Sequence, residues 1–150
     1  MGIWVFLGLM LSLPVASTWA AEAETIGSIQ NFQGQAFVVR DQHSRPAQVG
    51  VKLIKSDILK TGSNSSLGVI LRDDSLLSLG PNSELTLADF AFSPSEGQLS
   101  LLTRLTRGMA AYLTGQIGRL SPQSVHFETP VATIGIRGTR FAVKLEDNRP

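Results

Sequence analysis

The sequence predicts an all-β single domain, a β-sandwich or jelly-roll-like roll of many short strands, and three observations predict it. From Thr25 to Leu145 apolar and polar residues alternate with period two, the spacing that gives a strand one buried and one solvent face. Gly, Pro, Asn or Asp interrupts that alternation every several residues, as turns require. A chain of 150 residues is long enough for one domain with a real core and too short for two of ordinary size.

The first 20 residues stand apart. They contain no Asp, Glu, Lys or Arg and hold both tryptophans. The apolar run from Ile3 to Leu13 has the length of a signal-peptide core, Pro14 breaks it, and Thr18-Trp19-Ala20 offers small residues at the −3 and −1 positions of a cleavage site. An uncleaved anchor would want about 20 apolar residues, and Ser12, Pro14, Ser17 and Thr18 interrupt this run. The expected division is therefore a signal peptide over 1–20, cleaved after Ala20, and a β domain over 21–150. The expected location is periplasmic or secreted, with membrane attachment only if the leader is retained. Without the leader the apolar share falls from 43% to about 39%, a soluble-domain composition.

Along the β domain, Leu67, Val69 and Leu71 share one face, as do Leu85 and Leu87, then Leu99 and Leu101. Further on, Val125, Phe127 and Thr129 alternate, then Ala132, Ile134 and Ile136, then Phe141, Val143 and Leu145. Turn chemistry falls between them at Asp41 to Pro46, Thr61 to Asn64, Arg72 to Ser75, Gly80 to Ser83, and Ser93 to Gly97. One segment competes: Met109, Leu113, Ile117 and Leu120 form a helical stripe. Gly115 and Gly118 would cost such a helix about 2 kcal/mol relative to Ala. The prediction is a strand to about Leu113 and at most a short helical turn near 114–120.

Composition excludes several chemistries. All 13 basic and 12 acidic residues fall outside the leader, so no overall basic excess points to nucleic acid. The absence of Cys removes disulfides, thiolate nucleophiles and Cys-type zinc sites. His43 and His126 lie far apart with no ligand set around them, and no GxSxG run occurs, so they are expected in a surface turn and on an exposed strand face. Asp73-Asp74-Ser75 reads as a hairpin turn rather than a carboxylate pair. Gly135 and Gly138 lack the Gly-Lys-Ser/Thr of a phosphate loop. No catalytic residue, metal ligand or cofactor site is nominated. Charge is uneven along the chain: 101–150 carries 7 basic and 3 acidic residues, against 6 and 9 in 21–100, which suits an acidic partner if the basic side chains cluster.

The stretch Glu128 to Val143, ETPVATIGIRGTRFAV, packs small residues and an Arg into a strand-like run. Together with Leu59-Lys60-Thr61-Gly62, Leu76 to Ser83 (LLSLGPNS) and Leu113-Thr114-Gly115, it resembles the FecR domain, the periplasmic part of bacterial FecR-like regulators. The resemblance runs from about Ile26 to Leu145, opening with Gly27-Ser28-Ile29. It implies a β-rich roll of one or two layers, no enzymatic activity, and a place in a signalling chain. Well-understood members place this domain after an anti-sigma segment and a membrane helix, where this chain is expected to carry a leader. Thr129, Pro130, Thr133, Gly135, Arg137, Gly138 and Thr139 match the most specific motif, while Arg140 stands where members often carry an acid.

Gly135 and Gly138 are expected to permit close backbone approach or a bulge. Arg137 is expected to clamp a carboxylate within the fold, with Glu84, Asp89 and Glu128 as candidates, or to read a partner if it is exposed. The functional expectation is an exported, non-catalytic module binding an envelope or periplasmic protein. An envelope glycan- or polymer-binding module is the alternative, marked by solvent-facing aromatic rings, and a hydrolase, marked by a cleft with paired carboxylates, is the third.

Overall fold

Two antiparallel-rich sheets face each other across one apolar core. A computed structural model describes Gly2, residues 23–136, Gly138 and residues 140–146, so the cleavage expected after Ala20, and Arg137 and Thr139, fall outside the described residues. The first sheet contains β1 (Thr25–Gln33), β4 (Lys52–Ile54), β6 (Ser66–Leu71), β7 (Leu76–Leu79), β10 (Met109–Leu113) and β13 (Arg140–Lys144), in the order β13-β10-β7-β6-β1-β4. The second contains β2 (Ala36–Arg40), β3 (His43–Pro46), β5 (Ile58–Thr61), β8 (Glu84–Ser93), β9 (Gln98–Arg107), β11 (Val125–Thr129) and β12 (Ala132–Gly135), in the order β12-β11-β9-β8-β5-β2-β3.

The core follows the alternation. Leu67, Val69 and Leu71 from β6 and Leu77 and Leu79 from β7 meet Leu85 and Leu87 from β8 and Leu101 and Leu105 from β9, all buried. Each such leucine contributes about 1.5–3 kcal/mol relative to an exposed one. Strand β10 ends at Leu113, and one short helix, α1 (Gln116–Leu120), follows before a 3-10 turn at Pro122–Ser124. That excursion returns the chain to the second sheet, where β11 runs parallel to β9.

Two expectations need correction. The turn expected over Asp41 to Pro46 is only Asp41-Gln42, both at positive φ, and His43–Pro46 is a strand paired with β2. A fully exposed His-Ser-Arg-Pro has no alternation to read, and hydrogen bonding to its neighbour alone makes it a strand. Ala132 and Ile134 do not form a buried face: Ala132 is exposed and Ile134 half-buried, because β12 is the outermost strand of its sheet. Ile136, just beyond it, does reach the core.

Candidate functional site

Three of the quoted motifs serve as internal fastenings. Thr61 donates its hydroxyl to the Gly80 carbonyl at 2.6 Å and accepts the Ser83 N–H at 3.0 Å. The Ser83 hydroxyl in turn accepts the Met109 N–H at 2.9 Å, and Asn82 N–H donates to the Gly62 carbonyl at 2.9 Å. Thr-Gly and Gly-Pro-Asn-Ser thus lock β5, β7 and β10 together, tying one sheet to the other.

A second knot joins Leu-Thr-Gly to the β6–β7 hairpin. Asp73 is fully buried; its carboxylate accepts the Ser75 hydroxyl at 2.7 Å, the Ser75 N–H at 3.1 Å and the Ile117 N–H at 3.2 Å. The last bond caps α1, whose own N-cap residue, Gly115, has no side chain to do so. A side chain at Gly115 would collide with the backbone of Asp73 and Ser75, so only glycine lets the helix start there. The Ser75 hydroxyl also lies 3.0 Å from the buried Tyr112 hydroxyl. Burial pushes the Tyr112 phenol above its ordinary range.

Sequence reading placed Asp73 correctly in a hairpin turn, with Asp74 at positive φ, but missed what its side chain does. It missed Asp57 altogether. This buried carboxylate takes a forked contact from Arg40, at 2.8 and 2.7 Å, and the Ile54 N–H at 2.9 Å. The hydrogen bond to Asp57 raises the Arg40 guanidinium above its usual value. Nothing local to either residue signals a partner 17 positions away.

The fourth motif behaves differently. Thr129 closes the β11–β12 hairpin, its hydroxyl accepting the Ala132 N–H at 3.1 Å while Pro130 and Val131 make the exposed turn. Thr133, Gly135 and Gly138 are exposed. Gly138 has φ of 105° and its carbonyl accepts the Thr114 hydroxyl at 2.9 Å, so it is a conformational glycine in the crossover to β13. The expected close approach does not occur at either glycine, since a side chain at Gly135 or Gly138 would meet open space. The clamp assigned to Arg137, and the match at Thr139, fall on residues outside those described. Its three candidate partners have other company: Glu128 pairs with Arg104 at 2.9 Å, Asp89 with Lys55 at 3.0 Å, and Glu84 lies 3.8 Å from Lys60. The Ser100 hydroxyl, ahead of Lys55, holds Asp89 below the usual carboxylate range.

Beside this segment opens a cleft of about 850 Å³ whose walls include His126, Gly135, Ile136, Gly138 and Phe141. It presents an apolar floor, an imidazole and exposed backbone. Both histidines are exposed as expected, and the His43 Nδ1 sits 2.8 Å from the Asp41 carbonyl oxygen. Among the described residues no cluster of three or more His, Asp or Glu side chains is placed to hold a metal.

The family described as FecR protein matches residues 57–150. The chain belongs to the FecR family. The matched span takes in the Thr-Gly, Gly-Pro-Asn-Ser and Thr-Pro-Val-Ala-Thr-Ile-Gly motifs, so the Thr61 and Asp73 fastenings and the β11–β12 hairpin of this FecR domain lie within it, whereas Arg40, the cation on Asp57, lies before it. The span starts at Asp57, leaving β1 to β4 outside it, yet β1 pairs with β6 and β2 with β5. FecR proteins form a regulatory, signalling family that is not known for enzymatic activity. No curated protein and no solved structure matches the chain.

Proposed function

We propose that this FecR domain is an exported, non-catalytic module that binds a protein partner in the bacterial envelope and serves a signalling chain. The observation that carries this reading is the division of labour among the motifs. Thr-Gly, Gly-Pro-Asn-Ser and Leu-Thr-Gly are spent on buried hydrogen bonds, whereas the described residues between Thr129 and Gly138 lie mostly on the surface, where packing does not dictate residue choice. Every described Phe and Tyr ring is buried or half-buried, which favours a protein partner over the stacking platform that a glycan wants.

The leader motivates export, and one experiment reads both parts. The tagged chain is expressed with residues 1–20 in a Gram-negative bacterium, cross-linked in the intact cells, and recovered for mass analysis. The reading expects a mature chain starting at Ala21 joined to an envelope protein. Adducts with cytoplasmic proteins alone, or a chain retaining residues 1–20 in the membrane pellet, would contradict it.

A further inference from the structure

Among the described residues strand β13 is one of the two edges of the first sheet, hydrogen-bonded on one side to β10. Its residues alternate in exposure, with Arg140, Ala142 and Lys144 outward and Phe141 and Val143 half-buried. Among the described residues neither Arg140 nor Lys144 forms an ion pair, in contrast to Arg40, Arg72 and Arg104. The cross-strand register sets Leu113 beside Arg140, Ala111 beside Ala142 and Met109 beside Lys144. Leu113 and Met109 are two of the few exposed large apolar side chains, at 37% and 41%. Between these two ends Ser78, Ala111 and Ala142 leave a trough, part of a cleft of about 410 Å³.

The pattern along this edge is cation, small residue, cation, with the cations about 13 Å apart. Unpaired edges invite another strand, and charge decides which one. A second copy of β13 is the wrong occupant, because antiparallel self-pairing about Ala142 would set Arg140 against Lys144. From this charge pattern we infer that β13 accepts an extended acidic segment of a partner protein, with carboxylates four residues apart against Arg140 and Lys144 and a large apolar side chain midway filling the trough. The inference rests on the protein-binding reading above and names the chemistry of the partner.

The test uses the full mature chain and two fluorescein-labelled heptapeptides, Thr-Glu-Val-Phe-Val-Glu-Thr and Thr-Lys-Val-Phe-Val-Lys-Thr, followed by anisotropy at low salt. The Glu peptide should bind about tenfold or more tightly than the Lys peptide, as two attractive pairs replace two repulsive ones. Arg140→Glu combined with Lys144→Glu should reverse that preference. Should the double variant fail to fold, Lys144→Gln alone, at an exposed site, should narrow the preference with an unchanged unfolding midpoint. Amide exchange over 140–144 should slow when the Glu peptide is added. Absence of saturable binding by the Glu peptide, equal binding of both peptides, or a preference untouched in a folded variant would overturn the inference. If an envelope adduct persists in cells while the Glu peptide fails, the edge assignment falls and the protein-binding reading stands. Loss of both removes the two together.

Discussion

Asp73 shows how much one side chain can hold when it is buried. Its carboxylate satisfies a hydroxyl and two backbone N–H groups from the hairpin and from α1. Asp73→Ala strands those donors away from water and should destabilise the fold by about 3 kcal/mol in urea unfolding. Tyr112, joined to the same knot through Ser75, supplies a pH signature. Its folded-state phenol is raised, so the native state resists ionisation that the unfolded chain undergoes near pH 10. Stability should hold up to about pH 10 and fall as pH rises from there through the raised folded value. Tyr112→Phe should abolish that alkaline loss while costing about 1 kcal/mol at neutral pH. A pH-stability profile unchanged by the substitution would count against the buried phenol. Thr103 is the opposite case: its buried hydroxyl has no partner among the described residues. Thr103→Val keeps the shape and removes that cost, so it should stabilise by about 1 kcal/mol.

At the scale of elements, the strands with one buried face were legible because their leucines recur at every second position, as in Leu67-Val69-Leu71 and Leu85-Leu87. The end of β10 and the short α1 were legible from the glycines around them. Strand β3 was not, since exposed edge strands carry no apolar alternation, nor was the exposure of Ala132, which depends on β12 being outermost. The fastenings were illegible for another reason. Short-range pattern cannot announce that Thr61 meets Ser83, or that Arg40 at the end of β2 reaches Asp57 just before the neighbouring β5. That second pair predicts a measurable cost. Arg40→Ala leaves the Asp57 carboxylate buried without its cation and should destabilise by about 3 kcal/mol, whereas Arg40→Lys should recover part of it. By contrast His43→Ala, at an exposed site, should change stability by no more than about 0.5 kcal/mol.

The whole molecule divides into a fastened body and one side where the chain crosses between sheets. Strands β12 and β13, consecutive in sequence, are edges of opposite sheets among the described residues, and Ile136 and Gly138 between them line the 850 Å³ cleft. The far edges differ: β3 carries Arg45 and Pro46, and β4 is three residues long, both poor templates for an added strand. The proposed recognition surface is therefore the side that carries β12 and β13. Photo-cross-linking in the exporting cell tests that assignment most directly, with p-benzoylphenylalanine placed at position 133 in one chain and at position 44, on β3, in another. The account predicts a discrete adduct with an envelope protein from position 133 and none from position 44; an adduct from position 44 alone, or none from either, would contradict it.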